Sequence, residues 1–412
     1  MIALEQDKKQ FNAIANIKVI GVGGAGGNTV NSIIEAGCDG FECITANTDA
    51  QALELSKAPH KLQIGIKATK GLGTGANPEI GERAAQEDLD KIMEVIGDAD
   101  IVFIAAGMGG GTGSGGAPVI ARALREKGIL SIAIVTKPFL FEGKRRSAVA
   151  DQAMANLRKE VDTLIVIPNQ QLLSVVDEKV TMIDAFGMIN DVLGQSVRGI
   201  SDIITKPGHI NVDFADVRTI MRDKGMAVMG TGKASGPQRA LKAAQNAISS
   251  PLLENVSIKG AHGVLLNITG GKNLGLHEIS EAASVIYKQV HEDANIILGS
   301  VIDESLTDEV IVTIIATGCD KNDSHQEIEQ IQVKPVARDN SYTVKAIASV
   351  AQPQVMQPIV VQQEQPIVIP APVIAPIEAH KVEPVVVAAD IDLDDLDVPT
   401  FMRKQIENQE NE

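Results

Sequence analysis

Tryptophan is absent from this 412-residue chain, and aromatic residues make up only 2% of it, so a core has to be filled by Val, Ile, Leu and Ala. The hydrophobic content of 44% is enough to do so, and the length suits two domains of ordinary size plus a tail. Cysteine is almost as scarce. Cys38, Cys43 and Cys319 lack metal-ligand spacing, and no second Cys/His pair accompanies the first two. That excludes a disulfide framework, offers no metal site and predicts a reduced cytoplasmic compartment. No stretch approaches the roughly 20 clean apolar residues of a membrane span. The first residues are polar and charged without an apolar h-region, which predicts no signal peptide. Positive charge is in deficit, with 37 Lys and Arg against 53 Asp and Glu and a net charge of −16. This argues against broad non-specific nucleic-acid binding.

Glycine is plentiful, and its placement is the strongest signal. Gly109-Gly110-Gly111-Thr112-Gly113-Ser114-Gly115 follows the apolar run Ile101–Ala106, which reads as a buried strand. It precedes Ala117-Pro118-Val119-Ile120, which reads as a helix start. Strand, glycine turn and helix together form an anion cradle of converging N–H groups. No Lys follows the glycines, so this is not a Walker-type loop. A second cluster, Gly21-Val22-Gly23-Gly24-Ala25-Gly26-Gly27-Asn28, follows the strand-like Ile17–Ile20 and fits the dinucleotide pattern G-x-G-x-x-G. Alone that match is weak. Two such loops in one α/β domain point to a ligand with several phosphates. A nicotinamide dinucleotide is one alternative, with Glu42 near the position of a ribose-binding acid, but it leaves the second loop without a task.

Strand-like runs at 17–22, 41–46, 101–106, 129–136 and 162–167 alternate with helical patterns, which predicts a mostly parallel sheet with helices on both faces. A long helix is expected over 181–203 and another over 214–223. A second α/β module is expected with strands at 226–231, 263–269, 295–302 and 309–316 and helices near 237–248 and 276–290. The domain limits follow: a flexible leader at 1–16, a ligand-binding domain at 17–180, a helix and loop region at 181–225, a second domain at 226–318, a linker at 319–389 and a terminal peptide at 390–412. Seven of the 17 prolines fall between Pro353 and Pro384, which predicts disorder in the linker. Asp392–Lys404 sets Leu, Phe and Met among charges, either as a docking peptide that folds on a partner or as a solvated acidic end.

Other residues carry candidate chemistry. Glu142 and Arg146 follow a strand end, where they either address a ribose and phosphates or form an ordinary charged helix start. Asn190-Asp191 is either a purine-edge contact or an exposed polar pair. Asn211, Asp213 and Asp216 fit a helix N-cap with an acidic first turn, or carboxylates that polarise water for phosphate hydrolysis.

Gly109–Gly115 looks like the tubulin signature loop in its bacterial form. Together with the first glycine loop, Asn47–Leu53, Gly71–Pro78, Pro138–Arg146 and Asn211–Asp216, it makes residues 15–318 similar to the FtsZ family of tubulin-like cell-division GTPases. Ser114 departs from the more usual second Thr of that loop and keeps a hydroxyl. The resemblance implies a parallel-sheet GTP-binding domain and a second α/β domain joined by a long central helix. It implies GTP and GDP as ligands with Mg²⁺. Gly24, Ala25, Gly26, Gly27, Asn28, Gly111, Thr112 and Gly113 would contact phosphates, Glu142 and Arg146 the ribose region, and Asn190 the guanine. Asn47 and Asn169 would fall in nucleotide-facing loops. Asn211, Asp213 and Asp216 would complete the hydrolytic site of the next subunit in a head-to-tail filament. The terminal peptide would bind membrane-tethering partners such as FtsA and ZipA at the mid-cell division ring.

Overall fold

The computed structural model describes residues 15–37, 40–173, 179–206, 208–210, 212–253 and 258–319. The leader up to residue 14, Cys38, Asn211, the linker beyond Cys319 and the terminal peptide lie outside the described residues.

Eleven strands build the described fold: β1 (Ile17–Val22), β2 (Glu42–Asn47), β3 (His60–Gln63), β4 (Ile101–Gly107), β5 (Leu130–Lys137), β6 (Thr163–Pro168), β7 (Gly208–Ile210), β8 (Gly225–Ser235), β9 (Gly263–Gly270), β10 (Asn295–Ile302) and β11 (Glu309–Thr317). They form one sheet in the order β3-β2-β1-β4-β5-β6-β8-β11-β9-β10-β7. From β3 to β6 every pairing is parallel. β11 runs antiparallel to both β8 and β9. The two strand sets expected as separate modules are thus joined, through parallel pairing of Thr163–Ile165 with Gly225–Ala227.

The sequence dictates this burial. β1 is buried at every residue, and β4 at all but its last. This is why they read as unbroken apolar runs rather than alternating ones: helices cover both faces of a parallel sheet. On one face lie the first helix, Gly23–Glu35, and a central helix, Met182–Thr205, which buries Ile189, Leu193, Val197, Ile200 and Ile203. Their spacing of three or four residues is the apolar stripe of an amphipathic helix. Thr181 caps this helix, accepting from the Asp184 N–H at 3.2 Å. On the other face, helices Leu89–Ile96 and Thr112–Glu126 bury Ile92, Ile96, Ile120 and Leu124. A third apolar cluster packs helices Arg239–Ile248 and Leu276–Tyr287 against β8, β9 and β11.

The pattern at residues 50–100 is finer than expected. It contains β3 and the helices Pro78–Glu87 and Leu89–Ile96. The β3 segment runs over only four residues, two exposed and two half-buried, so it shows no alternation to stand out.

Candidate functional site

β1 lies between β2 and β4, so the chain leaves β1 toward one side of the sheet and β4 toward the other. A crevice opens at the carboxyl ends of strands where such a reversal occurs, and ligands of open α/β sheets bind there. Both glycine loops leave from this point. Helix Gly23–Glu35 starts directly after β1, and helix Thr112–Glu126 starts five residues after β4. Neither has a side-chain N-cap. Their first N–H groups are therefore left for a ligand, and both dipoles favour negative charge at the same spot. The loops touch. Gly23 adopts φ +73°, and a Cβ there would stand 3.1 Å from the Gly113 nitrogen.

A cavity of about 390 Å³ fills the crevice. Gly24, Ala25, Asn28, Gly111, Thr112, Gly113, Glu142, Arg146 and Asn190 all line it, although they come from four separate stretches of sequence. Gly26 and Gly27 do not. A Cβ on Gly26 would collide with the Ala105 carbonyl, and one on Gly27 would press on Thr45, so both serve the seat of the helix against the sheet. Thr112 is held from behind, its hydroxyl 2.7 Å from that of Thr48.

At the rim, Glu142 Oε1 accepts from the Phe139 N–H at 2.8 Å and Oε2 pairs with Arg146 Nη1 at 2.8 Å. Glu142 thus caps a short 3₁₀ turn, Leu140–Glu142, and fixes the arginine at the cavity mouth. Asn169 is 4% exposed, lines the cavity, and its Oδ1 accepts no hydrogen bond from any described residue. A buried acceptor of that kind is costly unless a ligand or water donates to it. Asn190 faces the cavity from the central helix. Its neighbour Asp191 does not, because Oδ1 accepts from the Ser32 hydroxyl at 2.8 Å and ties the central helix to the first one. Phe186, Met108, Thr74 and Thr136 also line the cavity without having been singled out as ligand contacts. Phe186 packs edge-on to Phe139, with ring centroids 5.6 Å apart, and so offers a ring at the end of the cavity.

Other expected positions lie elsewhere. Asn47 does not line the cavity; its Oδ1 accepts from the Asp49 N–H at 3.3 Å. Glu42 opens β2 at the amino end and pairs with Lys18 at 2.9 Å, so it cannot hold a ribose at the carboxyl end of the strand. That removes the nicotinamide-dinucleotide reading's only specific acid. Asp213 occupies the N-cap position of helix Phe214–Met221, but its side chain makes no capping bond; its carbonyl accepts from the Asp216 and Val217 N–H groups instead. Asp213 and Asp216 are both exposed.

The central helix sets the distance between these parts. Asn190 and Leu193 line the cavity, whereas Thr205 at the other end lies against Gly40, just before the amino end of β2. Fifteen residues of helix span roughly 22 Å. The chain then enters β7 and the acid-bearing turn, and Arg218 of the next helix donates to the Gly128 carbonyl at 3.2 Å, before the amino end of β5. The carboxylates therefore lie toward the pole opposite the glycine loops.

A larger cavity, about 610 Å³, lies on the outer face between helices Pro78–Glu87, Thr112–Glu126 and Lys144–Arg158. It contains neither the start of the first helix nor the unpartnered Asn169, so the switch-point cavity is the functional candidate. Among the described residues no three His, Cys, Asp or Glu gather to hold a metal.

A parallel sheet with a switch-point cradle of two glycine loops, backed by a long helix, is the arrangement of tubulin-like proteins. Residues 16–177 match the model of the Tubulin/FtsZ family GTPase domain, and residues 225–320 that of the FtsZ family C-terminal domain. The cell division protein FtsZ of Caulobacter vibrioides, in strains NA1000 / CB15N and ATCC 19089, is 53% identical over 325 residues. That match takes in 79% of this chain and 63% of the length of those relatives. Among solved structures, the empty FtsZ dimer of M. jannaschii is 43% identical with a TM-score of 0.71, over 74% of this chain and 88% of that one. CetZ2 of Haloferax volcanii, 20% identical with a TM-score of 0.63 over 74% of this chain and 94% of its own, shares the fold. The chain belongs to the FtsZ family.

Proposed function

We propose that this chain binds GTP in the switch-point cavity, hydrolyses it to GDP and phosphate, and assembles head to tail into filaments of the bacterial division ring. The observation that carries this reading is that the anion cradle and the exposed Asp213 and Asp216 lie at opposite poles of one chain. A carboxylate roughly 20 Å from the phosphates of its own chain cannot act on them; stacked copies bring one pole against the other. The M. jannaschii relative described as an FtsZ dimer supports self-association in this family.

In this reading the two free helix ends and the N–H groups of Gly24, Ala25, Gly111 and Gly113 bind phosphate oxygens, with Thr112 adding a hydroxyl. Arg146 neutralises charge at the mouth while Glu142 holds it there and accepts from a ribose hydroxyl. Asn190 and Asn169 hydrogen-bond the base end, and Phe186 excludes water beside it. Glu142 is the one carboxylate lining the cavity among the described residues, and it is already engaged by Arg146 and Phe139. The described residues therefore make no Mg²⁺ cage of their own; the ion would enter on the phosphates and shield their charge. Asp213 and Asp216 of the next copy, with Asn211, orient the attacking water and accept its proton. The binding domain takes in 17–180 and the second domain 226–318. The peptide 390–412 tethers the filament, through partners such as FtsA and ZipA, to the cytoplasmic side of the membrane at mid-cell.

Phosphate release from GTP with Mg²⁺, measured across protein concentration, tests the reading. Activity per chain is expected only above a threshold. Asp213→Ala and Asp216→Ala should keep GTP binding and lose turnover by about 10²-fold or more. Activity per chain that does not depend on concentration would place a complete site in each copy. No release at any concentration would leave a nucleotide-binding scaffold.

A further inference from the structure

Thr48 directly follows β2 and is fully buried. It does not line the cavity. Its hydroxyl nevertheless shares a 2.7 Å hydrogen bond with the hydroxyl of Thr112, which does line the cavity. Each hydroxyl has one proton and two acceptor lone pairs. If Thr112 gives its proton to Thr48, none is left for the cavity. If Thr48 gives its proton to Thr112, the Thr112 O–H is free to turn toward an anion, and its oxygen is polarised by the bond it accepts.

The surroundings limit how Thr112 can turn. The Thr74 hydroxyl lies 3.5 Å from it and sits so close to Gly111 that a Cβ there would collide with it. Behind Thr48, its own carbonyl faces the Thr69 hydroxyl at 3.5 Å, and the next residue, Asp49, bridges to Leu72. The pair therefore sits in a fixed frame made by the ends of three segments that are far apart in sequence.

We propose that Thr48 is a positioning residue for the phosphate loop: its buried hydroxyl donates to Thr112 Oγ1, so that Thr112 presents its proton to the phosphates of the bound nucleotide. This rests on the nucleotide reading above. It adds a residue outside the cavity lining, and it concerns phosphates only.

The test compares Thr48→Val and Thr48→Ser in the full chain, by equilibrium binding of GTP and of guanosine, which lacks phosphates, alongside thermal melting. Val keeps the shape and removes the hydroxyl, whereas Ser keeps the hydroxyl. Thr48→Val should weaken GTP about tenfold and leave guanosine unchanged, and Thr48→Ser should stay within about threefold of the parent for both. Should Thr48→Val not fold, Thr48→Ala against Thr48→Ser isolates the same hydroxyl. Equal loss of GTP and guanosine would reduce Thr48 to a strut of the fold and overturn the proposal. Unchanged GTP binding in the hydroxyl-free variant, or a Ser variant as weak as it, would also overturn it. A parent chain that binds guanosine and GTP not at all would remove the nucleotide reading itself, and this proposal with it.

Discussion

One sheet carries glycines put to two opposite uses, one found in the cradle at Gly24 and Gly110 and the other prominent on β8 and beyond β9. At the carboxyl ends of β1 and β4, a Cβ on Gly24 or Gly110 would meet nothing within 4 Å, because the space beside the backbone belongs to the cavity. On β8, a Cβ on Gly230 or Gly232 would collide with the carbonyl oxygens of Ala247 and Ala243, because helix Arg239–Ile248 lies directly on the strand. The strand ends differ in the same sense. Beyond β9, a Cβ on Gly271 would collide with the Leu306 carbonyl, and Arg239 is buried among Glu278, Asn273 and Asp308. Gly24 and Gly110 leave backbone donors open to a ligand, whereas Gly230, Gly232 and Gly271 are spent on close packing, as are Gly26 and Gly111 within the cradle itself. What marks the site is that some of its glycines have empty space beside them, not glycine alone.

The comparison breaks most visibly at Gly232. Gly232→Ala should destabilise the fold by about 2–3 kcal/mol, since helix backbone cannot retreat as a side chain can. Urea melts measure this, and a variant as stable as the parent would mean the helix sits loosely on β8. Gly110→Ala is the counterpart. Its stability should stay within about 0.5 kcal/mol of the parent, while GTP affinity falls about tenfold as the methyl takes up ligand space. Loss of stability at Gly110, or intact binding, would erase the distinction between the two uses.

The sequence made the sheet legible where strands were buried on both faces, and the central helix where Ile189, Leu193, Val197 and Ile200 kept a helical spacing. It marked both glycine loops, and nine of the eleven phosphate, ribose and base candidates line one cavity. What it hid was pairing. Nothing in the order of residues joins Thr163–Ile165 to Gly225–Ala227, because that contact spans a whole central helix. The Thr48–Thr112 bond spans 64 positions and carries no local pattern. Gly26 matched the glycine motif on spacing and Gly27 came with it through the family resemblance, yet their Cβ positions face a carbonyl and a threonine behind the helix. Asp191 looked equivalent to Asn190, but one position along a helix turns a side chain by about 100°, here from the cavity to Ser32.

The smallest expected effect sharpens the comparison through charge. Glu278 and Glu142 each pair with an arginine, the first in the packed half and the second at the cavity mouth. The hydrogen bond from Arg239 holds the Glu278 carboxyl below its ordinary value, against the opposing cost of partial burial, and the Gly275 N–H adds to the lowering. A carboxyl lowered in the folded state stabilises fully above its ordinary, unfolded value and loses that contribution as pH falls through the folded one. Glu278→Gln should therefore cost about 1 kcal/mol at neutral pH, a modest figure because the pair is partly open to water. The gap from the parent should close on acidification below the usual carboxylate range. Glu142→Gln, by contrast, should move GTP binding more than melting, since its partner Arg146 lines the cavity. Urea melts across pH check the first, and equilibrium GTP binding beside a urea melt checks the second. A gap at Glu278 that stays constant with pH would assign its role to shape rather than charge, and the second half would then be held by packing alone.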